Sequence, residues 1–356
     1  MYIAHESYQN DILSILEEEL PWEILKDKVF FITGASGMIG TAIVDVLMQL
    51  NEKNNYKIHV IAAGRNKHSL EKRFSEYMGK GMVSFYVSDI NKPIFIKRRA
   101  DFIIHAASNT HPRQYADDPI GTIKTNVFGM VNVLEYAKAV SAKRVLFLSS
   151  VEIYGEALKG EDVFTEDYCG YIDCNTLRAN YPESKRLGEA LCNAYMTKYN
   201  LDVVIPRLSR VFGPTMRLTD SKAMSQFLLK GVYGKDVILK SIGNQKYSYC
   251  YVTDVVSGIF YCLLKGAKGE AYNIADTHEV PTLKEIAEYI AKFNGRSVIY
   301  ELPDEIEQAG ASKVSVGILS AKKAERLGWR SVSDIFTGIN KTLMILQQSE
   351  IAKHSL

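Results

Sequence analysis

Apolar residues fall into short unbroken runs separated by stretches in which they recur every three or four positions, as expected for strands alternating with helices. Val29-Phe30-Phe31-Ile32-Thr33 is too short for a helix, rich in β-formers, and ends at Gly34, so it predicts a strand buried on both faces. Helical spacing follows over 39–50. The alternation then repeats as strand 58–63, helix 69–78, strands Val83–Val87 and Phe102–His105, helix 120–140, strand 144–149, helix 182–198 and strand 202–205. This rhythm predicts an α/β fold with a doubly wound parallel sheet of the Rossmann type. Ahead of it, Ile12, Leu13, Ile15, Leu16 and Leu20 predict a short amphipathic helix that serves packing, within the subunit or at a subunit interface.

Beyond Pro206 the rhythm loosens. Residues 214–248 and the stretch after Val280 do not continue simple βα units, although Ala271–Ile274 reads as one more strand. The expected organisation is a dinucleotide-binding domain over 1–208, completed by about 249–275. A second, smaller, discontinuous α/β substrate domain is expected over 209–248 and 276–345. Neither a repeat nor a long linker interrupts the chain, which favours two lobes sharing a cleft.

Composition narrows the function. Lysine plus arginine (43) nearly balance aspartate plus glutamate (41), so there is no electrostatic footprint for nucleic acid or an anionic membrane. The 5 cysteines are scattered, without a CxxC pair or histidine partners at metal-ligand spacing, so reduced thiols and no metal are expected. Residues 1–20 include Asp11, Glu17, Glu18 and Glu19 and do not read as a signal peptide. No stretch of membrane-spanning length is free of charge, and a soluble cytoplasmic protein is expected.

Candidate chemistry begins at Gly34-Ala35-Ser36-Gly37-Met38-Ile39-Gly40, which joins the first strand to the first βα helix. Glycines three apart permit a tight turn and close approach to a pyrophosphate, and the helix N-terminus supplies N–H donors. The second strand ends in Ala63-Gly64-Arg65-Asn66, where NAD binders usually place a carboxylate for the ribose hydroxyls. An arginine there suits a 2′-phosphate, so NADP is favoured over NAD, against the alternative of a solvated turn arginine. Asp89, with Ile90 beside it, is placed either to accept from the adenine amino group or to cap a helix. Ala106-Ala107-Ser108, small residues after His105, suit a backbone that passes close to the cofactor, with His105 itself packed.

Tyr181-Pro182-Glu183-Ser184-Lys185 is the most informative stretch. Proline suits a first helical turn, and residues four apart share a face, which sets the Lys185 ammonium near Tyr181. A cation there is expected to lower the phenol from its usual value of about 10 and make it a base near neutral pH. Ser150, at the carboxyl end of strand 144–149, is placed either to hydrogen-bond a reacting hydroxyl or to cap the turn that follows.

Taken together these residues resemble the extended short-chain dehydrogenases, the NAD(P)-dependent nucleotide-sugar epimerase/dehydratase family. Further matches are Asn126 in Lys124-Thr125-Asn126, Tyr154-Gly155, Phe212-Gly213-Pro214 and Tyr251-Val252-Thr253-Asp254. Asp118-Pro119-Ile120, Ser150-Val151-Glu152-Ile153-Tyr154-Gly155 and Glu166-Asp167-Tyr168 extend the resemblance to UDP-glucuronate decarboxylases. The resemblance implies that Tyr181 takes the C4-hydroxyl proton of a nucleotide sugar while bound NAD(P) accepts hydride. It also implies that Asn126 and Lys185 contact the cofactor, and that Glu152 acts near C5 and C6. Two positions depart from the decarboxylase pattern: Tyr247 stands where those enzymes carry a substrate-binding arginine, and Arg210 where an asparagine is usual. Val151 replaces the aspartate acid of 4,6-dehydratases. Arg207, Arg210, Arg217 and Lys222 are candidate substrate-diphosphate contacts, and a homodimer through helices 120–140 and 182–198 is implied. The expected function is epimerisation, dehydration or decarboxylation through transient C4 oxidation. The alternatives are an NADPH-dependent reductase of a 4-keto nucleotide sugar and a non-catalytic NADP-binding regulator.

Overall fold

A computed structural model describes residues 2–110, 116–157, 162–303 and 316–349. Its strands are β1 (Val29–Thr33), β2 (His59–Gly64), β3 (Val83–Val87), β4 (Phe102–His105), β5 (Arg144–Phe147), β6 (Ser149–Ser150), β7 (Val163–Phe164) and β8 (Val203–Leu208). They continue as β9 (Arg210–Phe212), β10 (Val237–Leu239), β11 (Lys246–Tyr247), β12 (Tyr249–Tyr251), β13 (Ala271–Ile274), β14 (Val298–Tyr300) and β15 (Val316–Leu319). The main sheet runs β13-β8-β5-β4-β1-β2-β3, with β6 beside β8, and every pairing in it is parallel.

Both faces of this sheet are covered, which is why its strands read as unbroken apolar runs. Phe30 and Ile32 enter one core together with Val60, Ala62, Phe102 and Ile104. Phe31 points the other way, into a core with Ile61, Ile103, Val145, Phe147 and Val203. Helices Met38–Asn54 and Val252–Lys265 cover the first face, and Pro119–Val140 and Asn180–Tyr199 the second. Each such side chain removed from water contributes about 1.5–3 kcal/mol.

Local differences from the sequence expectations have identifiable causes. The expected strand 144–149 divides at Leu148 into β5 and β6, although both keep one register against β8 (Leu146 opposite Val204, Ser149 opposite Arg207). Pairing lapses beside Pro206, which has no N–H to give. The last strand before the looser region runs through that proline to Leu208, because Pro206 keeps its place opposite Tyr272 on the β13 side. The expected helix 69–78 is Lys67–Arg73 followed by a 3-10 turn, with Asn66 Oδ1 capping its start by accepting from Ser69 N at 2.9 Å.

The N-terminal helix, Glu6–Leu16, buries Tyr8, Ile12 and Ile15 against the chain's own helices Met38–Asn54, Val252–Lys265 and Ile335–Gln348. Its anchor is Asp45, which accepts from Tyr8 Oη at 2.9 Å and from Tyr77 Oη at 2.8 Å. Burial, only partly offset by those hydrogen bonds, pushes the Asp45 carboxyl up to about 7. Its ordinary value is about 3.9, so the folded chain keeps a proton that the unfolded chain has released. This contribution to stability is complete below about pH 4 and is lost as pH rises through 7. Wild type is therefore expected to lose thermal stability relative to Asp45→Asn between pH 5 and pH 8. A gap in Tm that does not move over that range would remove this account.

Away from the main sheet the strands pair in small parallel sets: β9 with β12, β10 with β14, and β11 with β15, which also pairs with β7. Residues 304–315, part of the expected substrate domain, lie outside the described residues. Among the described residues no helix is long and apolar enough to cross a membrane.

Candidate active site

The carboxyl ends of the central strands open onto a cleft of about 370 Å³. At one end lies the glycine turn. Gly34 has φ +66°, and a Cβ on it would stand 2.7 Å from the Ala106 carbonyl oxygen, so only glycine fits. A Cβ on Gly40 would meet the Gly34 carbonyl oxygen at 2.5 Å. Gly37 caps helix Met38–Asn54 without a side-chain hydrogen bond, leaving the first-turn N–H groups directed at the cleft. Ser36, Met38 and Ile39 line this end, facing Asp89, Ile90, Ala106, Ala107 and Ser108, with Arg65 at its margin. These residues fit a dinucleotide: an anion seat at a helix start, walls of small residues, and a cation where the second strand ends.

Behind the wall the polar groups are joined. Thr33 Oγ1 lies 2.8 Å from His105 Nδ1 and accepts from Ala107 N at 3.1 Å, holding the small-residue segment beside the glycine turn. His105 is buried and stacked on Phe147, and burial, followed by the charge of Lys185, drives it down to about 3. It stays neutral and packed. Asn126 does not line the cleft. It accepts from Ser108 Oγ at 2.7 Å and donates to Ser184 Oγ at 2.8 Å, and Ser184 Oγ donates to the Tyr181 carbonyl oxygen at 2.8 Å. Asn126 thereby couples the cofactor wall to the helix that carries Tyr181. Asp89 lines the cleft but spends one carboxylate oxygen on Asn91 N at 3.0 Å.

The reacting end gathers Ser150, Tyr181 and Lys185. Tyr181 lies in the first turn of helix Asn180–Tyr199, one residue inside it, and is 5 % exposed. Lys185 Nζ donates to the Leu148 carbonyl oxygen at 2.8 Å and stands 4.8 Å from the Phe147 ring centre and 5.9 Å from that of Tyr181. The expected fall in the Tyr181 pKa is not what the structure shows. Burial raises the phenol to about 12 despite hydrogen bonds with Ser150 and Ser108. Burial also lowers Lys185 to about 8, with Glu189 opposing only in part. Desolvation acts on both groups and weakens the cation that was expected to activate the phenol.

Beyond them is a charge cluster. Glu152 Oε2 pairs with Arg178 Nη2 at 2.5 Å and Glu152 Oε1 with Arg210 Nη2 at 3.5 Å. Burial opposes ionisation of Glu152, but Arg178 and Arg210 together outweigh it and hold the carboxyl below its ordinary range. Arg210 lies over the Tyr247 ring, 3.7 Å from its centre. Tyr247 itself is buried and borders a smaller chamber of about 80 Å³ that adjoins the cleft and shares Glu152, Arg178 and Arg210 with it. The two departures from the decarboxylase pattern are therefore in mutual contact: the cation comes from β9, and the ring from β11 supports it.

The other candidate cations separate. Arg217 and Lys222 line the cleft. Arg207 does not reach it as a free cation, because it pairs with both Glu189 oxygens at 3.1 and 2.7 Å and donates to the Glu166 carbonyl oxygen at 2.6 Å. It is a half-buried strut rather than a diphosphate contact. Arg178 escaped sequence reading, since an arginine three residues before the tyrosine carries no distinguishing spacing.

The parallel doubly wound sheet and its glycine turn define the class as a dinucleotide-binding Rossmann fold. Residues 30–275 match the NAD dependent epimerase/dehydratase family, and the chain belongs to that family and is an enzyme of it. UDP-glucuronic acid decarboxylase 6 of Arabidopsis thaliana is 32% identical over 302 residues, 84% of this chain and 82% of that protein. UDP-glucuronic acid decarboxylase 1 of Danio rerio is 30% identical over 337 residues, 93% of this chain and 76% of that protein. Among solved structures, an epimerase from Methanothermobacter thermautotrophicus has a TM-score of 0.80 at 21% identity, covering 97% of this chain and 98% of that one. The dTDP-glucose 4,6-dehydratase of Bacillus anthracis in complex with NAD has a TM-score of 0.76 at 22% identity, covering 91% and 98%. At those identities the two structures show the shared fold. Membership of an enzyme family removes the reading of a non-catalytic dinucleotide-binding regulator.

Proposed function

We propose that this enzyme transiently oxidises C4 of a UDP-linked hexuronate and releases its C6 carboxylate as carbon dioxide. The observation that carries the reading is the convergence of Ser150, Tyr181 and Lys185 in the cleft whose far end is the glycine turn, next to a carboxylate held between two arginines. The similarity to UDP-glucuronic acid decarboxylases supports the substrate. In this reading residues 1–208 with 249–275 carry the dinucleotide, and 209–248 with 276–345 carry the sugar nucleotide.

NAD(P), when bound, would be held by the glycine turn at 34–40 with Ala106, Ala107 and Ser108 along its wall, and would supply the reversible hydride acceptor for C4. Ser150 orients the C4 hydroxyl, and Tyr181, with Lys185 beneath it, removes the hydroxyl proton and gives it back at the end. The C4 ketone makes the C6 carboxylate that of a β-keto acid, so the C5–C6 bond electrons move into a C4–C5 enolate as carbon dioxide leaves, and C5 then takes a proton from water. Arg178 and Arg210 attract the C6 carboxylate, and Glu152, ionised between them, orients it and does not serve as a proton donor. Val151, apolar at the position expected for a dehydratase acid, favours decarboxylation over loss of water.

The cofactor in this reading is NADP, on the strength of Arg65. The same arginine favours a second reading, net reduction of a 4-keto nucleotide sugar by NADPH. Purified protein should be incubated with UDP-glucuronate, UDP-glucose, dTDP-glucose, CDP-glucose and GDP-mannose, with NAD or NADP supplied separately, and the products weighed by mass spectrometry. Loss of carbon dioxide from UDP-glucuronate without net NADPH consumption is expected. An unchanged mass on UDP-glucuronate overturns the decarboxylase reading, and stoichiometric NADPH oxidation by a keto-sugar establishes the second.

Ile120, Ile123 and Phe128 on helix Pro119–Val140 and Leu187 on helix Asn180–Tyr199 are exposed, and they support a homodimer through these helices. Light scattering that returned the mass of one chain would remove it. The free cysteines suit a reducing, cytoplasmic setting.

A further inference from the structure

The adenosine end of the cleft gathers positive charge from two distant parts of the chain. Arg65 follows β2, and Arg217 lies 152 positions later in sequence on the loop after β9, yet both line the same cleft. That loop is fastened to the dinucleotide turn. Thr215 Oγ1 donates to the carbonyl oxygen of Met38, the first residue of the glycine-turn helix, at 3.0 Å. Arg73 Nη2, at the end of helix Lys67–Arg73, donates to the Thr215 carbonyl oxygen at 3.4 Å. Arg73 is backed in turn by the ring of Tyr2, 5.2 Å from its guanidinium carbon. The nearby amide offers little competition for a ligand, because Asn66 Oδ1 is spent capping its own helix.

Among the described residues the charge of Arg217 is only partly balanced. Burial first, then Arg73 and Arg65, holds Arg217 below its ordinary value, with Asp220 offsetting this only in part. Asp220 is itself drawn to Lys222 at 3.5 Å. Arginines that disfavour one another's charge are stabilised by an anion placed between them, and a phosphate monoester, with up to two charges and three acceptor oxygens, suits their planar donors.

We propose that Arg65 and Arg217 jointly bind the 2′-phosphate of NADP(H), with Arg73 as the positioning residue that holds the Arg217 loop over it. The proposal rests on the reading above that the cleft takes NADP, and it moves Arg217 from the sugar diphosphate to the cofactor. The cofactor phosphate then clasps the segment after β9 against the end of β2, so that loading NADP organises the loop leading to Lys222 and the substrate side of the cleft.

Calorimetric titration of the whole protein with adenosine 2′,5′-bisphosphate and with 5′-AMP isolates the 2′-phosphate without turnover. Wild type is expected to favour the bisphosphate by about tenfold or more, as charge-assisted hydrogen bonds from two arginines warrant. Arg65→Ala and Arg217→Ala should each bring the ratio to within a few-fold of one while leaving 5′-AMP affinity unchanged. Arg73→Ala should lower the same ratio, a readout that a merely structural role would shift equally for both ligands. If Arg65→Ala removes the preference and Arg217→Ala leaves it intact, the two-residue site is overturned and the NADP reading stands on Arg65 alone. If wild type shows no preference, both fall. If Arg217→Ala weakens the two ligands alike while its melting curve matches wild type, Arg217 is a general nucleotide contact and the proposal is likewise overturned.

Discussion

Tyr181→Phe is expected to lower kcat by about 10³-fold, within the 10²–10⁴ typical of a lost acid–base group, while leaving the fold and KM nearly unchanged. The ring is buried and would keep its packing, and Lys185 would keep its hydrogen bond to the Leu148 carbonyl oxygen. Only the phenolic oxygen that faces Ser150 and Ser108 is lost. Lys185→Met should cost about as much, because it removes the ammonium 5.9 Å from the Tyr181 ring centre. The double variant is expected to be little worse than either single one, since groups that act as a unit are non-additive. With Tyr181 raised to about 12 and Lys185 lowered to about 8, burial disfavours the phenolate/ammonium form of the pair relative to two solvated groups. Above about pH 8 Lys185 loses its proton, so the ammonium-assisted step should decline there, and Lys185→Arg should retain its charge past that limit. Single-turnover rates across pH 6–10 test both statements. Tyr181→Phe with more than a tenth of wild-type activity would place the base elsewhere.

Legibility in the sequence followed the range over which each feature is determined. The sheet was readable because a strand buried on both faces must be apolar throughout, and Phe30, Phe31 and Ile32 satisfy that locally. The glycine turn was readable for a similar reason, since Gly34 and Gly40 face backbone atoms that admit no Cβ. Tertiary pairing was not readable. Nothing near Arg207 indicates that Glu189 will claim it, and nothing near Arg210 indicates that a ring 37 positions later will lie beneath it. The sign of the Tyr181 shift was also out of reach, because spacing reveals a neighbouring charge but not how much water the fold removes from both partners. Asn126 shows the same limit: the motif marks it, while its place behind the wall depends on Ser108 and Ser184 meeting it from two other elements.

Glu152→Ala is expected to separate the binding of an anionic sugar from its turnover. In wild type the carboxylate lies between Arg178 and Arg210, so a substrate carboxylate must share those cations with it. Removing it leaves two cations facing the cleft, and KM for UDP-glucuronate should fall severalfold while kcat falls by about 10²-fold, as for loss of one preorganised electrostatic group. Binding of UDP-glucose, which is uncharged at C6, should change little. The same substitution also costs stability. Breaking a fully buried pair by removing one partner costs about 3–5 kcal/mol, and here the side chains keep some contact with water, so about 2 kcal/mol is expected. Added acetate should restore part of the lost Tm in Glu152→Ala and none in wild type, because a small carboxylate can occupy the vacated position. A variant whose KM rises equally for both sugars would show that Glu152 supports the site's shape alone. Acetate rescue of stability with no selective change in KM would place the Arg178–Arg210 pair away from C6, so the uronate reading depends on these two measurements agreeing.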